Sequence, residues 1–228
     1  MPKLSKPLHI NWREHRHVSW GNLRQEARDV LPQLDKFLEG RDVCPDEDRI
    51  FEAFTQPLGR VRVVILGQDP YHTDRMATGL AFAVPKTTRS TDHPLSLRTI
   101  FHEVDDDFQE DLPRSSDLAA WAYQGVLLLN TALTVDRGKR KAGTHLGKGW
   151  EAFTNGAIEL VSGECSNVVF CLWGREAWRA AEHIDRRKHD VLLAGHPRAQ
   201  STALVQFSGC RHFSQVNRLL GPRRQIVW

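Results

Sequence analysis

Val61-Arg62-Val63-Val64-Ile65-Leu66 runs directly into Gly67-Gln68-Asp69-Pro70-Tyr71-His72. A short β-branched and aliphatic run ending in glycine reads as a buried parallel strand, and Gly67 and Pro70, bracketing Gln68 and Asp69, predict a stiff, exposed turn behind it. That turn sets a carboxylate, a phenol and an imidazole at one strand end, where open α/β sheets bind their ligands. Taken alone, Asp69 in such a turn reads more readily as the cap of a following helix.

Working outward, three further apolar runs have the same character: Val126 to Leu129, Val168 to Trp173 and Val191 to Ala194. Helical patterns lie between and around them. They cover an N-terminal region from Asn22 to Leu38, then Leu97 to Glu103, Asp117 to Tyr123 behind the caps Ser115 and Ser116, Trp150 to Val161, Arg175 to Ile184, and His212 to Leu220 closed by Gly221-Pro222. Strands alternating with helices predict an α/β fold of three layers, α/β/α, around a central, mostly parallel four-stranded sheet. Each strand is followed at once by a candidate functional residue: Gln68 and Asp69, then Asn130, then Gly174, then His196. One edge of one sheet should therefore gather the polar set. His196 by itself reads equally well as a satisfied core histidine.

A chain of 228 residues with 40% hydrophobic content suffices for one domain, residues 1–228, with an N-terminal helical region of about 12–58 and a catalytic core of about 59–221. No apolar stretch approaches a membrane span and no signal peptide follows Lys3 and Lys6, so a soluble, cytoplasmic protein of bacterial type is expected. Cys44, Cys165, Cys171 and Cys210 contain no C-x-x-C pair, which argues against a zinc site or an iron–sulfur cluster. No metal and no cofactor are expected. A net charge of +3 is only mildly basic, so a nucleic-acid partner must be argued from local clusters. Arg137-Gly138-Lys139-Arg140-Lys141 with His145 and Lys148 forms one, Arg211-His212 another; a basic loop is also compatible with a merely solvated surface. The acidic run Asp105-Asp106-Asp107, with Glu110 and Asp111, reads as a solvated loop facing away from such a partner.

Gly67-Gln68-Asp69-Pro70-Tyr71-His72 resembles the water-activating motif of family 1 uracil-DNA glycosylases, and later segments follow in that family's order. Gly79 to Val84, Leu95-Ser96-Leu97, Trp121 to Asn130, Leu133-Thr134-Val135, Gly149 to Thr154, Val169 to Gly174, Gly195-His196-Pro197 and Gly209 to Ser214 extend the resemblance from about Trp12 to Leu220. It implies hydrolysis of the N-glycosidic bond of flipped-out deoxyuridine in single- and double-stranded DNA, leaving an abasic site, with no lyase step. In that reaction positive charge grows on the deoxyribose and negative charge on the base, so the catalyst needs an anion beneath the sugar and a donor at a base carbonyl. By resemblance Asp69 is the anion that orients the attacking water, and His196, neutral, is the donor. Asn130 reads the uracil edge, Tyr71 excludes the thymine methyl, Phe82 stacks on the base and the Gln68 backbone lines the pocket. Without the motif, Phe82 and Tyr71 would read as plain core aromatics.

Extruding the nucleotide costs a few kcal/mol, which contacts to the flanking phosphates must offset. His72 and Ser96 are candidates, with Gly174, Arg175, Pro197, Arg198, Gln200 and Ser201 at the later loops. Those loops depart from the family pattern. Thr73-Asp74-Arg75-Met76-Ala77-Thr78-Gly79 stands for Gly-Pro-x-Gln-Ala-His-Gly, and Asp92-His93-Pro94-Leu95-Ser96 for a segment with Pro-Pro-Ser. Gly174-Arg175 stands for Gly-Ser, and His196-Pro197-Arg198-Ala199-Gln200-Ser201 for His-Pro-Ser-Pro-Leu-Ser, with one additional residue before Gly209. Gln200 thus occupies the place of the wedge leucine by direct count, and Leu204 is the alternative wedge. A monomer is expected, with poor binding of the proteinaceous uracil-glycosylase inhibitor that buries that leucine. The competing readings are a non-catalytic binder of uracil or abasic DNA on the same fold, and a metal-dependent hydrolase, which His15 and His17 alone do not supply with ligands.

Overall fold

The computed structural model describes residues 4–198 and 206–228. Its strands are β1 (Val43–Cys44), β2 (Val63–Gly67), β3 (Val126–Asn130), β4 (Val135–Asp136), β5 (Val169–Trp173) and β6 (Asp190–Ala194). The longer four form one parallel sheet in the order β3-β2-β5-β6. All four apolar runs are strands, to within two residues at each end. The antiparallel pair β1–β4 is new: two residues per strand are too few for periodicity to announce.

The helices are α1 (Leu8–His15), α2 (Gln25–Arg28), α3 (Leu31–Leu38), α4 (Leu95–Phe108), α5 (Ala119–Tyr123), α6 (Trp150–Glu164), α7 (Arg175–Trp178) and α8 (His212–Leu220). Alternate strand residues face opposite layers. Val64, Leu66, Leu127, Leu129, Phe170 and Leu172 pack with α1, α3 and α6, whereas Val63, Ile65, Val126, Leu128, Cys171 and Trp173 pack with α4, α5 and α8. Apolar residues on both faces explain why each strand reads as a continuous hydrophobic run. Each buried aliphatic side chain contributes about 1.5–3 kcal/mol, which is why a parallel sheet covered on both sides is the stable arrangement.

The topology also locates a crevice. From β2 the chain moves to β3 on one side, then crosses to β5 on the other, so the connections diverge at the carboxyl end of β2. That divergence is the switch point at which open sheets hold ligands, and Gln68 and Asp69 follow it directly.

Several expectations change. The run Asp105-Asp106-Asp107 is the last turn of α4, not a loop: Asp105 pairs with Arg114, and Asp107 accepts from Ser214 N at 2.8 Å and Ser214 Oγ at 2.6 Å, holding the start of α8. Ser115 and Ser116 do not cap α5. Ser116 Oγ is buried and donates to Pro85 O, while the Asp117 carboxylate accepts from Ala119 N at 3.1 Å. The N-terminal helical region begins earlier, at Leu8, and is broken between Arg28 and Leu31. The pattern from Arg175 to Ile184 tightens into a 3-10 turn from Arg179.

Candidate active site

At the end of β2, Gly67 lies opposite Asn130, the last residue of β3. A Cβ on Gly67 would stand 2.5 Å from Asn130 Oδ1 and 3.2 Å from Phe82 Cε2, so only glycine lets the amide and the ring close over the strand. Beyond Gly67 the chain turns and presents Asp69. One carboxylate oxygen accepts the Gly143 amide at 2.5 Å and the other accepts Gln68 Nε2 at 3.2 Å. Burial raises the Asp69 carboxyl above the ordinary carboxylate range, and these two donors, with the nearby His72, oppose the rise.

Tyr71 is fixed at its tip. Its single phenolic proton goes to Phe82 O at 3.1 Å, so the hydroxyl of Ser96 donates to Tyr71 Oη at 2.9 Å. Burial pushes the phenol up to about 12. Phe82 adopts φ +64, left-handed backbone that a bulky residue rarely takes, and this turn aims its carbonyl at Tyr71. Its ring lies 5.5 Å from Trp173 and 6.0 Å from His196, centroid to centroid.

His196 stands two residues past β6. Its Nδ1 accepts the backbone N–H of Arg198 at 3.0 Å. A backbone amide can only donate, so Nδ1 is bare and the proton of the neutral ring sits on Nε2. Burial, then the Arg198 charge, lowers the imidazole pKa and keeps the ring neutral. Gly174, with φ +96, lets this turn approach: a Cβ there would meet His196 Cβ at 3.1 Å.

Gln68, Asp69, Tyr71, His72, Phe82, Ser96, His196 and Arg198 line one cavity of about 260 Å³. A hollow of about 390 Å³ shares Tyr71, His72, Ser96 and Arg198 with it and runs along Asp92 to Leu95. Asn130, buried, joins the site through its contact over Gly67. Ser96 lies inside the first turn of α4 rather than ahead of it. Arg175 is exposed at the start of α7, Pro197 is buried and Arg198 is exposed. Gln200, Ser201 and Leu204 lie outside the described residues.

The basic clusters divide differently from expectation. His145 is fully buried, and Arg137 is taken up by Asp42, Asp46 and Asp74 at 2.9, 3.0 and 2.5 Å. His212 is buried and accepts from Trp173 Nε1 at 3.1 Å, its pKa lowered by burial to about 4. Lys139, Arg140, Lys148 and Arg211 remain exposed. Sequence reasoning missed Gly143, which acts on Asp69 through its backbone and so leaves no signature in residue type. It also missed Ala77, Leu80, Ala83 and Ala142 in the wall, whose apolar types look like ordinary core.

A family model described as the uracil DNA glycosylase superfamily matches residues 54–221. The chain is 41% identical to the uracil-DNA glycosylase of Psychromonas ingrahamii, over 92% of this chain and all of that one. It is 48% identical to the uracil-DNA glycosylase of Sinorhizobium medicae, over 82% of this chain and 76% of that one. Among solved structures, mimivirus uracil-DNA glycosylase superposes with a TM-score of 0.79 at 24% identity, covering 95% of this chain and 84% of that one, a likeness of fold. A variant of the mimivirus protein in complex with UGI gives 0.83 at 24% identity, covering 100% and 93%. With a family model matching residues 54–221 and relatives at 41% and 48% identity over most of its length, the chain belongs to the uracil-DNA glycosylase superfamily.

Proposed function

We propose that this protein hydrolyses the N-glycosidic bond of deoxyuridine in DNA, releasing uracil and leaving an abasic site, as a single catalytic unit working in the cytoplasm. One observation carries the reading. A single cavity brings together the Asp69 carboxylate, held by two hydrogen bonds, and a neutral His196 whose proton is on Nε2. Its volume of about 260 Å³ is below the roughly 300–1,000 Å³ typical of sites for drug-sized ligands, and it suits one extruded base.

As the bond to N1 breaks, the sugar gains oxocarbenium character, which the Asp69 carboxylate stabilises while it orients water toward C1′. The electron pair of the bond leaves with the base. His196 Nε2–H donates a hydrogen bond to O2 of the departing uracil anion; protonation was not required of it, and its lowered pKa favours this neutral role. Water adds its oxygen to C1′ and its proton ends in solvent or on the base, so the reaction balances as a hydrolysis. Among the described residues the Asn130 side-chain amide makes no hydrogen bond, which leaves it free to accept from N3–H and donate to O4. Tyr71, pinned to Phe82 and Ser96, presents a ring that does not swing aside for a 5-methyl group. His72 and Ser96 line the adjoining hollow where a flanking phosphate would run, Arg198 supplies charge at its mouth, and Arg175 adds charge at the α7 start.

The protein works as a monomer on uracil-containing DNA of either strandedness, and the changed sequence from Arg198 to Gln200 makes it bind the proteinaceous glycosylase inhibitor poorly. Release of uracil from a defined oligonucleotide, measured with and without chelator, tests the reading. Chelator-resistant release supports it. Tight DNA binding without release would instead make the protein a non-catalytic binder, and chelator-sensitive release would require a metal.

A further inference from the structure

We propose that His145 is a positioning residue for Asp69, acting through the loop from Asp136 to His145 that delivers the Gly143 amide. The inference rests on the reading of Asp69 as the catalytic carboxylate. His145 is fully buried, with its ring edge-on to Phe37 at 4.9 Å, so it does not serve the DNA surface that its place in a basic stretch suggests.

The hydrogen bonds fix its tautomer. Trp150 Nε1 donates to Thr134 Oγ1 at 2.6 Å, which turns the hydroxyl proton toward His145 Nδ1 at 2.8 Å. Nδ1 is therefore the acceptor, and Nε2 carries the proton that it donates to Asp136 Oδ1 at 3.1 Å. Arg41 holds the same carboxylate at 3.2 Å. The neighbouring Thr144 Oγ1 accepts from Asp136 N at 3.1 Å, so the two ends of the loop are tied together twice.

What the closed loop carries is aimed at the reaction centre. The residue immediately before this clasp is Gly143, whose N–H meets Asp69 at 2.5 Å. Near the other end of the loop, Gly138 N donates to His72 O at 2.8 Å, and Arg137 grips Asp74 just beyond. The loop thus brackets the turn from Asp69 to Asp74 at both ends. A carboxylate that must face developing positive charge gains from donors already in place, because no reorganisation is then needed as the bond breaks.

The test uses the full chain on a uracil oligonucleotide, comparing wild type, His145→Ala and His145→Gln in kcat, KM, pH–rate profile and thermal melting. With the clasp gone, kcat should fall on the order of tenfold to a hundredfold, the worth of one hydrogen bond to a charged acceptor, with KM unchanged. The acid limb should move to higher pH, because the Gly143 amide that the clasp delivers is the foremost of the groups that hold the Asp69 carboxyl down against its burial. Glutamine keeps a donor for Asp136 and should recover most of kcat and the limb. Lower melting with normal kcat and an unmoved limb in His145→Ala would reduce the residue to a structural part and overturn the proposal. If that variant does not fold, Thr144→Val opens the other tie and must show the same shift; an unchanged profile overturns the proposal equally. Asp69→Asn separates the two readings: if it retains turnover, the catalytic assignment itself falls, whereas an inactive Asp69→Asn beside a normal His145→Ala breaks only the bracket.

Discussion

The turn after β2 and the turn after β6 contribute the two principal groups of the cavity, and they are built in different ways. Asp69 is held from outside its own segment, by the Gly143 amide 74 residues later, while Tyr71 is pinned to Ser96 and Phe82. His196 is held by its own turn, through Arg198 N, with Gly174 providing room behind it. Long-range contacts make the first turn a fixed carboxylate site, whose hydrogen-bond donors are in place before substrate arrives and partly offset the cost of its burial. The local contact in the second sets a tautomer, and it leaves the loop beyond it to vary. Departures from the family pattern follow both turns, at Thr73 to Gly79 beyond the first and at Arg198 and Gln200 beyond the second, but Asp69 and His196 themselves match it.

The largest break in that comparison is Asp69→Asn. The isosteric amide keeps the shape but removes the charge opposing the oxocarbenium, so uracil release should fall by several orders of magnitude with DNA binding largely kept. Turnover near the wild-type rate in a single-turnover assay would take Asp69 out of the chemistry.

Next in size is the other turn. His196→Gln should cost roughly 10²–10³-fold in kcat, as for removal of one preorganised donor. The pH profile distinguishes the two groups. Because the Asp69 pKa is raised, kcat/KM should climb with pH through a limb above the ordinary carboxylate range. Because the His196 pKa is lowered, its ring stays neutral down to below its ordinary value and adds no loss at neutral pH. The limb should persist in His196→Gln, and its disappearance there would reassign it to the histidine.

Much of this was legible beforehand, for physical reasons. Buried parallel strands have to be apolar on both faces, so all four of them stand out in the sequence, whereas their order in the sheet, which sets the switch point, does not. A carboxylate or imidazole at a strand end is likewise visible as a residue type. Partners are not. His145, His212 and Arg137 count as positive charge in the sequence, yet burial against Thr134 and Trp173 and three aspartates around one guanidinium remove them from the DNA surface. Asp105 and Asp107 look solvated until Arg114 and Ser214 are seen against them. Gly143 acts through an N–H that every residue but proline has, so nothing in its identity marks it.

Specificity is a smaller effect and depends on the rigid turn. Tyr71→Ala should admit thymine and Asn130→Asp should admit cytosine, each at a low rate, because each removes one rejection without adding catalysis. Absence of any gain on either base, with uracil release still measurable, would refute the pocket assignment.

Charge at the mouth should matter less again. Arg198 is exposed, so Arg198→Ala should weaken DNA binding about equally across sequences and reduce the salt slope by about one. It also withdraws one of the two influences that lower the His196 pKa, so the imidazole should titrate closer to its ordinary value. A salt slope that does not change would place the Arg198 side chain away from phosphate.

The smallest expected change concerns Gln200, which by direct count along the His196 loop stands in the place of the family's wedge leucine. A leucine fills the hole left by an extruded nucleotide with apolar surface, whereas a glutamine amide desolvated there without assured partners costs on the order of 1–3 kcal/mol. The wild-type protein should therefore release abasic DNA readily, and Gln200→Leu should tighten product binding by roughly tenfold, about the 1.4 kcal/mol that lies within that range, with little change in the chemical step. Product inhibition measured at fixed salt, beside a leucine-bearing relative, decides between the candidates. Tight product binding by the wild type, unaltered in Gln200→Leu but lost in Leu204→Ala, would make Leu204 the wedge and show that the variable turn has kept the function by moving it four residues along.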